Sequence, residues 1–254
     1  MDAQAGLMLF GAGLAGGVVT AIVGGASLIT FPALLAVGLP PILANASNTV
    51  AMTPGNLMAG LADLERRPRW DPSLLALLLV CVGGSVAGAL LLLVTPEKAF
   101  TAVVPLLIGF ATVLFAQSGR IRRWILSRPG GSAGDHAMSR ASGALWFVPV
   151  AIYGGYFGAG MSVMLLALLS VSRSDDLRAT NVLKNLLSAL TGVVAVIVFL
   201  VQGMVAWPFT LAMMAGALVG GFLGGRLVRV LPAEAVRVIV IAAGAILTLV
   251  YAWR

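Results

Sequence analysis

One pattern, written twice, limits this chain more than any other feature. Gly25-Ala26-Ser27 recurs as Gly160-Met161-Ser162 at an offset of 135, and Ala46-Ser47-Asn48 recurs as Ala179-Thr180-Asn181 at an offset of 133. Farther on, Trp70, Gly83-Gly84, Gly88, Pro96 and Glu97 are answered by Trp207, Gly220-Gly221, Gly225, Pro232 and Glu234. The small drift in offset is what short loop insertions produce. The chain therefore reads as a first transmembrane repeat over 1–117, a linker over 118–142 and a second transmembrane repeat over 143–254. In a membrane chain, duplication points to a transport architecture with its site between the copies.

The surroundings of the duplicated motifs are apolar enough to make this a membrane chain. Hydrophobic residues are 60% of it and charged ones 10%, against ~25% charged in soluble proteins. Runs of about 20 apolar residues, enough to cross a bilayer, predict helices over 42–63, 73–94, 98–117, 177–201, 208–230 and 233–252. Each repeat also opens with a longer apolar segment interrupted by glycines, 6–37 with Gly24-Gly25 and 144–171 with Gly154-Gly155, Gly158 and Gly160. The polar stretch Gln117 to Ser142, with its Ser127 to Asp135 core, reads as a flexible linker. The N-terminus lacks the basic region of a signal peptide and is expected to be retained.

Loop charge decides between two topologies. If each glycine-broken segment crosses once, the protein has eight simple spans, and the loop arginines and lysines divide nine against six. If each instead dips in and returns as two part-helices, the repeats are inverted and the division is thirteen against two, with Lys184 inside a span. The second arrangement fits the excess of basic residues in cytoplasmic loops. The expected fold is thus an all-α polytopic membrane protein with two inverted repeats. Each repeat is a broken helical hairpin followed by three spans, with eight simple helices as the alternative. The basic clusters at Arg66, Arg67 and Arg69, at Arg120, Arg122, Arg123 and Arg128, at Arg173 with Arg178, and at Arg226 with Arg229 would be cytoplasmic. A net charge of +7 distributed this way implies no nucleic-acid partner.

Two sets of residues could carry function. The broken segments place Gly25 and Ser27 in one repeat and Gly160 and Ser162 in the other, where a part-helix would aim free amides at an anion. Pro32, lacking an amide hydrogen, favours a break or a helix start nearby. In the spans that follow, Asn45, Ser47, Asn48 and Thr49 stand against Thr180, Asn181, Lys184 and Asn185. Such groups in apolar helices need partners, cavity water or substrate, because each unsatisfied one costs several kcal/mol. Lys184 lies about two turns into its span with no carboxylate in any predicted span interior, so it would attract a negative substrate or snorkel to the interface. Glycines four apart, Gly84 with Gly88 and Gly216 with Gly220 and Gly224, suit close helix packing inside the molecule or an oligomer interface.

Several chemistries are unsupported. All nine acidic residues fall in predicted loops or at span ends, so a buried carboxylate proton relay has no residues to use. The lone histidine, His136, lies in the linker, and the lone cysteine, Cys81, sits in an apolar run, so neither a metal cage nor a disulfide framework is expected. No cofactor is expected, while the coupling ion, proton or sodium, is left open.

These residues together resemble the sulfite exporter TauE/SafE family, also called the toluene sulfonate uptake permeases. The carrying elements are Val23-Gly24-Gly25-Ala26-Ser27 with Pro32, Gly154-Gly155-Tyr156-Phe157-Gly158-Ala159-Gly160, and Arg178-Ala179-Thr180-Asn181-Val182-Leu183-Lys184-Asn185. Trp207, Gly220-Gly221 and Gly224-Gly225-Arg226 complete the pattern, while Ala46-Ser47-Asn48 departs from the more usual glycine-threonine form and no lysine follows it. The resemblance implies a bacterial inner-membrane carrier of small sulfur-containing or organic anions. An anion channel could use the same groups. An intramembrane serine protease would need a base for Ser162, and the sequence offers only His136.

Overall fold

The computed structural model describes residues 2–22, 25–61, 72–126, 144–172, 177–227 and 233–252. Ten helices account for nearly all of them, and no strand occurs among the described residues. In the first repeat they are α1 (Ala3–Ile22), α2 (Ser27–Ala36), α3 (Pro41–Leu61), α4 (Pro72–Val94) and α5 (Glu97–Leu126). The second repeat supplies α6 (Phe147–Tyr156), α7 (Met161–Ser172), α8 (Leu177–Val201), α9 (Trp207–Leu227) and α10 (Ala233–Ala252). Pro41 and Pro72 occupy first helical positions, where the missing N–H is no loss.

Four of these helices are long and apolar enough to cross a membrane by length and composition, through Ala3–Thr20, Pro72–Val94, Glu97–Arg120 and Val182–Val201. Their outward side chains are apolar, with Leu7, Leu79, Leu106 and Val113 all more than half exposed. An exterior of this kind suits lipid and would aggregate in water. By contrast α3, expected as a plain span, is 21 residues long but too polar to qualify. Its Asn45, Ser47, Asn48 and Thr53 are all buried. A helix like this survives because it lies inside the bundle.

Both glycine-broken segments are interrupted where the sequence places the breaks. Gly25 and Gly160 have φ of +86° and +80°, a conformation that side chains with a Cβ rarely adopt. Past the first break α2 folds back along α1, so that Gly16 meets the Thr30 methyl. In the second repeat the Met161 thioether lies against Gly154, and the Tyr153 hydroxyl donates to the Ala159 carbonyl at 2.7 Å. The breaks meet each other through Phe31 and Phe157, edge to face at 5.3 Å. Pro32 does not break its helix: it sits buried in the middle of α2. The turn is made by the residues around Gly25 instead, and burial of α2 between α1 and α3 holds a helix that lacks one amide donor.

The two repeats exchange equivalent contacts. α1 packs on α9 just as α6 packs on α4, and α3 meets α8 while α5 meets α10. Gly84 lies against Ala151 and Gly220 against Leu14; Gly88 and Gly216 touch opposing backbone in the same way. These glycine stripes are therefore internal packing surfaces, as one of the two sequence readings has it. The surroundings of Gly224 lie outside the described residues. Along these pairs the numbering rises together, so α1 runs with α9 and α4 with α6. α5 and α10 instead cross head to tail: Gly109 meets Thr248, and Gly244 meets Thr112.

The polar stretch after 117 is not all linker. α5 continues to Leu126, because Arg120, Arg122 and Arg123 are good helix formers and Ser118 and Arg123 hydrogen-bond backbone carbonyls on their own helix. The Ser127 to Asp135 core lies outside the described residues, as do His136, Trp70 and the arginines at 66–69, 128, 173 and 229.

Candidate functional site

Where α2, α3, the α6–α7 break and α8 converge, they line a partly open cavity of about 60 Å³. That is room for a few waters or one small polyatomic ion. Its polar lining comes from Ser27, Asn48, Thr49, Thr53, Ser162, Ser188 and Thr191, and its apolar wall from Met52, Phe157 and Met161, with Gly154, Gly158 and Gly192 between. None of these residues is ionised. Gly192 is needed for the shape, since a Cβ there would stand 2.8 Å from the Thr53 hydroxyl.

Hydrogen bonding inside the cavity is incomplete. Thr49 and Thr53 donate back to the carbonyls of Asn45 and Thr49, at 2.9 and 2.7 Å, which leaves their oxygens available as acceptors. The Ser162 and Ser188 hydroxyls pair at 3.2 Å. Ser85 donates to the Thr191 carbonyl at 2.7 Å and holds α4 against α8. The Thr191 hydroxyl faces the Cys81 thiol, a weak donor, and has no conventional partner. Asn48 is 2% exposed, and its Oδ1 is sealed off with no donor. A buried carbonyl without a donor costs on the order of 1–3 kcal/mol. Clustered at one cavity, such groups favour a polar occupant.

Four of the polar residues singled out in the sequence, Ser27, Asn48, Thr49 and Ser162, line this cavity. Gly25 and Gly160 form the turns beside it and pack on α5, Gly25 against Phe115 and Gly160 against Ala111 and Leu114. Asn45 and Ser47 act as braces. Asn45 Nδ2 donates to the Tyr156 carbonyl at 2.8 Å, tying α3 to the end of α6. The Ser47 hydroxyl accepts from the Ala206 N–H at 3.0 Å, closing the α8–α9 turn onto α3. Thr180 is buried, Asn185 half-buried, and both are hydrogen-bonded or packed in specific contacts. The Asn181 side chain lies outside the described residues.

Lys184 is half-buried one turn before Ser188, about 6 Å along the axis at ~1.5 Å per residue. Among the described residues none makes a hydrogen bond or ion pair with it. Positions 184, 188 and 191 share one face of α8, so the ammonium continues the stripe that lines the cavity without itself lining it. Ser188, Thr191 and Thr53 escaped the sequence reading. Their spacing of four and seven from Lys184, and of four from Thr49, is the signal that would have found them.

An apolar-skinned bundle whose two helix breaks meet beside a hydroxyl-lined cavity has the make-up of a multi-pass membrane transporter. Family comparison narrows the class: the model of the sulfite exporter TauE/SafE family matches residues 9–251, and the chain belongs to that family. It is 28% identical over 87% of its length to a "Probable membrane transporter protein" of Haemophilus influenzae, covering 84% of that protein. It is 26% identical over 96% of its length to "Probable membrane transporter protein YfcA" of Escherichia coli K12, covering 87% of it. A Sinorhizobium relative, "Probable membrane transporter protein ORF9", is 30% identical over 86% of the chain and 81% of its own length. No solved structure gives a significant match.

Proposed function

We propose that this transporter is a secondary carrier of a small anion, a sulfur oxyanion or organosulfonate, in the bacterial inner membrane. The observation that carries the reading is the cavity itself: serines at the starts of α2 and α7, further hydroxyls and Asn48 from α3 and α8, no carboxylate among its described lining residues, and an ammonium one turn away with no hydrogen-bond or ion-pair partner among the described residues. The first-turn amides of a helix and its positive end favour negative charge. The hydroxyls of Ser27, Thr191 and the Ser162–Ser188 pair, unlike those of Thr49 and Thr53, keep protons to donate to several oxygens, which distinguishes an oxyanion from chloride. The name of the family model, a sulfite exporter, supports the substrate class.

Inverted repeats also belong to this reading. A two-fold axis lying in the membrane plane turns equivalent helices antiparallel, and the head-to-tail crossing of α5 and α10 supports that axis. With the copies inverted, the basic loops and the central linker share the cytoplasmic side. Access would alternate as the cavity opens to one side and then the other. A carrier is favoured over a channel because the cavity is small, with the bulky side chains of Phe157 and Met161 in its wall. A protease is disfavoured because the neighbour of Ser162 is the Ser188 hydroxyl, which is no base at neutral pH.

The test is a thermal-shift screen of the purified protein against sulfite, sulfate, thiosulfate, sulfoacetate, taurine and acetate, followed by counterflow of the best binder in liposomes. A ligand held by the folded state raises its melting temperature. Stabilisation by a sulfur oxyanion with saturable exchange is the expected result; stabilisation by none of the anions would end the proposal.

A further inference from the structure

We infer that the first repeat holds a monovalent cation, a sodium ion, between α3 and the C-terminal end of α6, and that this cation couples to the anion through Asn48. The inference rests on the anion-carrier reading for what is coupled, but the cation site stands on its own geometry.

Asn45 Nδ2 donates to the Tyr156 carbonyl, which fixes how the amide is turned, since the reverse would set oxygen against oxygen. Its Oδ1 is buried and has no donor. Three residues on, Asn48 Oδ1 is buried and donorless as well. Residues three and four apart share a helix face, so these two oxygens and the Thr49 hydroxyl, whose own proton goes to the Asn45 carbonyl, form a set of acceptors without a donor. The Tyr156 carbonyl, bonded to the same amide, belongs to the C-terminal end of α6, the negative end of that helix. Uncompensated acceptors at the end of a broken helix suit a cation.

The ligand chemistry selects the ion. Carbonyl and hydroxyl oxygens without a carboxylate suit Na⁺, whereas divalent ions call for charged oxygens. Asn48 belongs to both sites, because it also lines the anion cavity. A cation on its Oδ1 polarises the amide and strengthens donation from Nδ2, and the two ions attract each other across a poorly screened gap. Each ion then tightens the other by the same factor.

The experiment compares melting temperature and sulfite affinity of the full chain in NaCl, KCl and choline chloride at one ionic strength. Na⁺ alone should raise the melting temperature, and sulfite should bind about tenfold more tightly in Na⁺ than in choline. Asn45→Ala and the isosteric Thr49→Val should each remove the Na⁺ response, Thr49→Val while still melting near wild type in choline. If sulfite binds equally well in all three salts, the cation site is wrong and the anion reading survives. A Na⁺ shift with no sulfite binding in any salt leaves the cation site standing and overturns the anion reading. A response to K⁺ but not Na⁺, or an undiminished Na⁺ response in both variants, also overturns the assignment.

Discussion

α3 and α8, which the sequence pattern sets against each other, carry opposite kinds of polar group. At the shared offset of 133, Ser47 and Asn48 answer Thr180 and Asn181, but Lys184 is matched by Ala51. α3 is neutral and sunk in the bundle, with its polar groups engaged in bracing α6, α9 and its own backbone or left as bare acceptors. α8 carries the ammonium, with Ser188 and Thr191 along the same face. The two helices thus differ in what they offer: oxygen acceptors on α3, positive charge on α8. Under the proposed anion-carrier function, that difference would let α8 attract the anion while α3 does not hold it equally from the other side.

The comparison breaks most sharply at the contact between the two helices. Gly192→Val places a branched side chain against Thr53, and overpacking of this kind costs about 1–3 kcal/mol. The melting temperature should fall and sulfite stabilisation should vanish with the cavity; a variant that melts and binds as wild type would show that α3 and α8 are not the cavity walls. Next in size is charge. Lys184→Met should weaken sulfite affinity roughly 10- to 100-fold, the range of a charge-assisted hydrogen bond, with the melting temperature little changed. Unaltered affinity in isothermal titration would return Lys184 to the role of an interface anchor.

A paired experiment separates bracing from binding. Ser47→Ala leaves the part-buried Ala206 N–H without its partner, costing about 1 kcal/mol of stability while sulfite affinity is kept. Ser162→Ala should do the reverse, weakening sulfite several-fold for about 1 kcal/mol and scarcely moving the melting temperature. Equal behaviour of the two serines in melting and titration would erase the proposed division. The smallest effect is expected at Gly83, where an added Cβ meets nothing within 4 Å. Gly83→Ala should stay within about 0.5 kcal/mol of wild type, and a larger drop in melting temperature would mean that the outward face of α4 is covered in the membrane.

Much of the frame is legible in the sequence because lipid enforces it. Helices expected at 73–94 and 177–201 are found at Pro72–Val94 and Leu177–Val201, and the breaks fall at the glycines. Apolar length is a blunt signal that no side-chain detail can mask. The extension of α5 to Leu126 is less visible, since outside the lipid a helix needs only propensity and caps, and polarity resembles a loop. The cavity wall is harder still. A threonine that returns its proton to its own helix, as Thr53 does, and a serine that braces a distant turn, as Ser47 does, read alike in a sequence. Only the packing of α8 and α9 around α3 distinguishes the two.

The glycine contacts carry one more consequence. Gly17 and Gly220 bring the backbones of α1 and α9 together, and Gly88 and Gly155 do the same for α4 and α6. Seams without side chains between them have no slack to slide or part. Each seam joins a helix from the first half of the chain to a helix from the second. Under the proposed carrier function, α1 would therefore travel with α9 and α4 with α6, as two bodies that each draw helices from both halves of the chain.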